Sequence, residues 1–135
     1  MRLIHTLILV SVAAVWIQLS YGSEKKARVF FIEPKDGAEV SQEFVAKFGI
    51  EGMELKPAGD MTKKTGHFHI LIDDAVTPKK MPIPKDATHI HYGKAQTEGQ
   101  LKLAPGKHKL TLLLGDGAHL SYGSKMSSTI TVEVK

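Results

Sequence analysis

The segment GHFHILID, residues 66–73, places a histidine at two alternate positions of a strand-like apolar run. In a β-strand, successive side chains point to opposite faces of the sheet. The phenylalanine and the two isoleucines of this segment therefore share one face, and His67 and His69 share the other. We expect the apolar face to lie in the core and the opposite face to present two imidazoles.

A second segment of the same kind, THIHYG, places His89 and His91 two residues apart. If the two segments pair as antiparallel strands with His69 opposite His89, then His67 lies opposite His91, and all four rings share one face. This register is an assumption, because the proline-rich connection between the segments is too long to fix it. The two segments together predict a cluster of histidines on one sheet.

The rest of the chain shows short apolar or alternating runs separated by turn residues, with no helix of useful length. About seven short strands in one small domain predict an all-β fold, an antiparallel immunoglobulin-like β-sandwich. Within residues 98–117, two strands that meet at Ala104–Gly106 predict a hairpin. Further strands are predicted within residues 29–32, 43–55 and 127–135.

The N-terminal residues have the layout of a secretory signal peptide. A basic start is followed by an apolar run, Leu7–Ile17, and by the small residues Ser20 and Gly22. We predict a signal peptide at residues 1–22 and a single domain at 23–135, in the periplasm or secreted. An uncleaved anchor is the alternative, but a lasting membrane anchor is not expected, since a span needs about 20 apolar residues.

Composition and charge exclude several classes of function. The chain has no cysteine, so it uses neither disulfides nor thiolate ligands. Its net charge is +4, its lysines are scattered among acids, and Arg28 is its one arginine after the predicted signal peptide. Nucleic-acid binding is therefore not expected.

The sequence also lacks the motifs of common catalytic sites. It has no serine in a nucleophile-elbow motif, no glycine-rich phosphate loop before a helix, and no HExxH pair. We therefore expect no catalytic residues and no enzyme activity. A histidine-bound metal with an open coordination position could activate water or dioxygen, and that alternative stays open.

The histidines favour a metal site. Imidazole nitrogen without thiolate suits copper, zinc or nickel, and the affinity order of divalent ions favours copper, with zinc second. A glycine-flanked loop after the second strand of residues 98–117 adds His119 as a further ligand and Asp116 as a carboxylate that could hold an imidazole ring. We predict His108, between two lysines, to be polar surface. The predicted ligands are His67, His69, His89, His91 and His119.

Two interpretations of this cluster remain open at the level of sequence. In the first, the domain binds copper or zinc for metal storage, delivery or sensing. In the second, the histidines form a structural or pH-responsive face of a module that docks a periplasmic protein or a cell-wall component.

Several phrases of the chain, in this order and spacing, resemble a bacterial family of small exported proteins, domain of unknown function 4399. The resemblance covers nearly the whole predicted domain. It implies, without assigning a function, a shared pattern at these positions: His67, His69, His89, His91, Asp116 and His119. In this chain Phe68, Gly117 and Tyr122 stand at positions where the family is richer in histidine. The phrases are RVFFIEPKDGAEV, FGIEGMEL with PAGD, GHFHILID, THIHYGKAQTE and LAPGKHKLTLLLGD with the following histidine.

Overall fold

The computed structural model describes residues 22–135, and within them the chain forms nine strands and one short 3₁₀ turn. The prediction of an all-β fold is confirmed. The 3₁₀ turn, Ser124–Met126, directly precedes the last strand. The strands are β1 (Arg28–Glu33), β2 (Glu39–Val40), β3 (Glu43–Glu51), β4 (Glu54–Leu55), β5 (Thr65–Ile72), β6 (His89–His91), β7 (Glu98–Lys102), β8 (Gly106–Gly115) and β9 (Ser127–Val134).

The strands are arranged in two sheets. One has three strands in the order β1-β3-β7, and the other has six, with β2-β9-β8-β5-β4 in line and β6 paired to β5. The two-residue strands β2 and β4 pair in parallel, and the longer neighbours pair antiparallel. The immunoglobulin-like topology stays a prediction.

The predicted signal peptide at 1–22 lies, except for Gly22, outside the described residues. Within residues 22–135, no helix is long and apolar enough to cross a membrane.

The hairpin predicted at Ala104–Gly106 is wrong, although both of its strands exist. β7 pairs with β3 in the three-stranded sheet, whereas β8 pairs with β5 and β9 in the other. Leu101 and Leu103 enter the core from the side of the first sheet, so the chain passes from one sheet to the other at this turn. Turn residues between two strands are thus compatible with a connection between two sheets as well as with a hairpin within one sheet.

One apolar core is shared by residues of both sheets. Phe48 of β3 meets Phe68 of β5 edge to face, with ring centroids 5.0 Å apart. Such aromatic pairs add stability beyond the area that they bury. The side-chain alternation predicted for β5 is confirmed, since Phe68, Ile70 and Ile72 all belong to this core.

The opposite face of β5 is also covered, contrary to expectation. Every residue of β5 is buried. On the histidine side, Leu71 and Leu113 form a second, smaller core with Ile83, which lies in the connection between β5 and β6. That connection is joined to the loop after β8, for example by the 2.9 Å hydrogen bond from the Ile83 N–H to the His119 carbonyl. These loops remove the histidine face from solvent.

His108, predicted as polar surface, is held by two acceptors. Its Nδ1 lies 2.6 Å from the Asp73 carboxylate, and its Nε2 lies 2.8 Å from the Ala104 carbonyl. Both partners accept hydrogen bonds, so the ring donates from both nitrogens only when it is protonated. The contact ties β8 to the turn that follows β5.

We predict that this contact makes stability depend on pH. The hydrogen bond to Asp73 raises the pKa of His108 above its usual value. The stabilisation that this contact gives to the fold is therefore complete below about pH 6.5, the pKa of histidine in the unfolded chain. It is lost as pH rises through the higher pKa of His108 in the folded protein. NMR titration of the ring should show the raised pKa, and Asp73→Asn should bring it back toward 6.5. A wild-type pKa below that value would contradict this account.

Candidate metal centre

Four histidines from three parts of the chain converge at the covered face of the six-stranded sheet. β5 supplies His67 and His69, β6 supplies His91, and the loop after β8 supplies His119. One ring nitrogen of each lies within 4.8 Å of the others. Four of the five predicted ligands therefore come together.

The register between β5 and β6 decides which histidines meet. The structure pairs His69 with His91 and Leu71 with His89, two residues away from the assumed pairing of His69 with His89. A shift of two residues keeps all side chains on the predicted face. It changes which of them are neighbours, so that His91 lies opposite His69 instead of His67, and His89 moves away from the β5 pair to lie opposite Leu71.

His89, predicted as a ligand, lies outside the cluster. Its Nδ1 is 2.8 Å from the Asp86 carboxylate, and its Nε2 is 3.6 Å from that of Asp74. The Asp86 carboxylate also accepts the backbone N–H groups of Thr88 and His89. His89 therefore fastens the start of β6 to the preceding connection, and the structure does not bring it into the group of four.

Asp116 contacts the backbone of its own loop. Its carboxylate oxygen Oδ1 accepts the backbone N–H groups of Ala118 and Leu120, each at 2.9 Å. The His119 N–H in turn donates to the Asp116 carbonyl at 2.9 Å, and His119 has a positive φ of 62°. Asp116 thus shapes the tight loop that turns His119 toward the cluster, rather than bonding to an imidazole.

Burial separates the four rings into two pairs. His67 and His69 are buried, with 0 % and 1 % of their surface exposed, whereas His91 and His119 are partly exposed. The glycines around them leave room for the rings, since a Cβ at Gly115 would lie 2.7 Å from Cε1 of His69. The cluster is therefore open to solvent only on the side of His91 and His119.

The hydrogen-bond contacts within the cluster are between ring nitrogens of neighbouring histidines. The Nε2 of His91 lies 3.1 Å from that of His67 and 2.9 Å from that of His119. Among the described residues, neither nitrogen of His69 makes a well-formed hydrogen bond, nor does Nδ1 of His67. The backbone of His67 is the weakest influence on the His69 ring and raises its pKa. An unpaired buried polar group costs about 1–3 kcal/mol, so His69 is an expensive residue in this position.

The electrostatics of the cluster keep its buried rings neutral. Burial, with the neighbouring histidines as a smaller cause, lowers the pKa of His67 to about 4 and that of His69 to about 3. Burial also lowers the pKa of His91, with His119 and Lys85 acting in the same direction. Neutral imidazole is the form that binds a metal, so these rings are ready to coordinate at pH 7.

The arrangement fits a transition metal. An ion that binds imidazole at about 2.0–2.1 Å holds any two of its donor atoms no more than about 4.2 Å apart. The observed limit of 4.8 Å needs only small ring movements to reach that geometry. The donor set is four uncharged nitrogens without thiolate or carboxylate, which suits copper or zinc better than calcium or magnesium.

Fold and cluster together define a small all-β domain with four histidines gathered beneath its loops. A family model described as domain of unknown function (DUF4399) matches residues 46–135, a range that contains all four. The chain belongs to this family, as its phrases predicted.

Other comparisons inform the fold alone. An X-ray structure of the endo-beta-1,4-mannanase from Thermotoga petrophila is similar to this chain with a TM-score of 0.52 and 16 % sequence identity. The likeness covers 86 % of this chain but 21 % of that enzyme, so this chain spans about a fifth of its length. No similar sequence was found among curated proteins.

We predict that His69 lowers the stability of the ion-free domain. Leucine is close to histidine in size and leaves no polar atom unpaired, so His69→Leu should raise the free energy of unfolding by about 1–3 kcal/mol. Urea unfolding in the presence of chelator measures the change. His91→Leu is the control, because His91 is partly exposed and contacts two other rings, and it should bring no gain. If the free energy of unfolding instead falls by the same amount in both variants, His69 is stabilised by contacts within the protein and this prediction is wrong.

Proposed function

We propose that this domain binds one transition-metal ion through His67, His69, His91 and His119. The observation that carries the proposal is the pair of unpartnered nitrogens on the fully buried His69. A metal bond to one of them would turn a destabilising side chain into a stabilising one. Neutral rings and donor spacing support the same conclusion.

Copper is the proposed ion, with zinc second. Both accept imidazole ligands, and divalent copper has the higher affinity for a given nitrogen site. The cluster brings no negative charge of its own, so ligand strength rather than ion pairing has to provide the affinity. That requirement favours copper over the weaker binders of the first transition row.

The proposed role is storage, delivery or sensing of the metal, rather than turnover of a substrate. All four ligands come from the protein, which is typical of holding an ion, whereas catalytic zinc sites keep a position for water or substrate. The predicted signal peptide favours the periplasm or the exterior as the location. We infer an immunoglobulin-like sandwich as the architecture, supported by the single core that both sheets share.

A second candidate function rests on the direct contacts between rings. Nε2 separations of 2.9 and 3.1 Å are hydrogen-bond distances, so a proton could lie between neighbouring imidazoles. The cluster would then be a structural or pH-responsive part of a module that binds a periplasmic partner. This candidate gives no partner to His69, and for that reason we place it second.

Calorimetric titration of the purified, untagged, metal-stripped protein tests the proposal. Copper(II) and zinc(II), added separately, should bind one to one, with copper tighter and its Kd below about 1 µM, which is about 8 kcal/mol of binding free energy. His69→Gln and His119→Gln should each weaken binding. His89→Gln should leave the affinity unchanged, because His89 bonds to Asp86 instead of facing the cluster.

Besides a failure of wild type to bind either ion, two outcomes would overturn the proposal. One is wild-type affinity in a protein that lacks all four histidines, and the other is loss of binding in His89→Gln but not in His119→Gln. If wild type binds neither ion, the second candidate is tested by capture of a periplasmic partner. That capture should persist when a chelator is present.

A further inference from the structure

The segment Pro57–Met61 contacts the loop that follows β6, next to His91, and the loop that carries His119. The Ala58 N–H donates to the Gly93 carbonyl at 2.9 Å, and the Gly59 N–H donates to the Gly117 carbonyl at 2.8 Å. Gly93 follows His91 by two residues, and Gly117 precedes His119 by two. The segment, here called the clasp, therefore joins these two loops through its backbone.

One glycine allows this close approach, and a second leaves room for a histidine ring of the cluster. A Cβ on Gly117 would collide with the Asp60 carbonyl oxygen and would lie 3.0 Å from the Met61 sulfur. A Cβ on Gly93 would collide with the His91 ring. Because the first obstacle is backbone, a side chain at position 117 would push the clasp away from the loop that carries His119.

The clasp is also tied to the strand that carries the buried pair. The Asp60 carboxylate accepts the Thr62 N–H at 2.9 Å and the Thr62 hydroxyl at 2.6 Å. The Thr65 hydroxyl then donates to the Thr62 carbonyl at 2.8 Å. Since Thr65 begins β5 two residues before His67, one short segment connects the surroundings of three of the four rings.

Access to the cluster follows from burial. His67 and His69 are enclosed, so an ion reaches them only past His91 and His119. The clasp joins the loop that follows His91 to the loop that carries His119. Any widening between the loops has to break a hydrogen bond to Ala58 or Gly59.

We propose that the clasp holds His91 and His119 in place for the ion and has to detach before the ion leaves. Asp60 and Gly117 are the positioning residues, since one shapes the clasp and the other lets it pack. The inference rests on the proposed metal binding and adds a control on its rate. The protein would keep its ion until a partner, or a thermal opening, displaces this segment.

The test is the rate at which copper(II)-loaded protein loses its ion to excess EDTA in a stopped-flow experiment. Asp60→Ala removes the bonds to Thr62, and Gly117→Ala displaces the clasp without touching a ligand. Each should speed release about tenfold or more, as expected when the contacts around a metal ligand are lost. The copper(II) EPR spectrum of both variants should also change, which a purely structural weakening elsewhere would not cause.

Two matched controls keep general destabilisation apart from this effect. Asp36→Ala removes another exposed carboxylate that accepts a backbone N–H, from Thr131, near the opposite end of β8. Gly49→Ala crowds another glycine, against the Phe30 ring in the three-stranded sheet. Both should release copper at the wild-type rate.

The outcomes separate this inference from the proposed function. If wild type binds copper and both clasp variants release it at the wild-type rate, the clasp is overturned and the metal site stands. If wild type binds neither copper nor zinc, the site and the clasp's role fall together. Faster release in all four variants would assign the effect to loss of stability and would also overturn the clasp.

Discussion

A strand buried on both faces cannot leave polar side chains to water, and β5 is such a strand. Its apolar face joins the main core, and its other face carries His67 and His69 under the loops that follow β5 and β8. Each buried imidazole nitrogen must then find a hydrogen-bond partner or a ligand, or lower the stability of the fold. The arrangement of the remaining histidines, the clasp and the covering loops can all be understood from that constraint.

Much of this arrangement could be predicted from local sequence. Alternation along β5 and β6 correctly divides core residues from histidines, because the period of a strand is fixed by its backbone geometry. The register could not be predicted, since the long connection before β6 imposes none, and a shift of two residues satisfies the same pattern. That shift is why His91 lies opposite His69 instead of His67, and why His89 leaves the cluster and bonds to Asp86.

The burial of the histidine face could not be predicted from the alternation of residues along the strands. It depends on contacts between distant loops, such as those of Ile83 with His119 and of Ser121 with Thr77. The clasp depends on contacts of the same kind, between backbone groups far apart in the chain. Such contacts leave only a faint local signal, in this case glycines at 93 and 117 whose role is visible only when their neighbours are known.

Under the proposed metal binding, the unpartnered nitrogens of His69 would also affect how long the protein survives. An ion that binds only the folded domain shifts the folding equilibrium toward the folded state. The shift in free energy grows with the logarithm of the ratio of ion concentration to Kd. Cells degrade chains in proportion to the time that they spend unfolded. If the proposed metal binding holds, the empty domain, with a costly side chain at its centre, would be cleared sooner than the loaded one. The amount of this protein would then follow the supply of the metal.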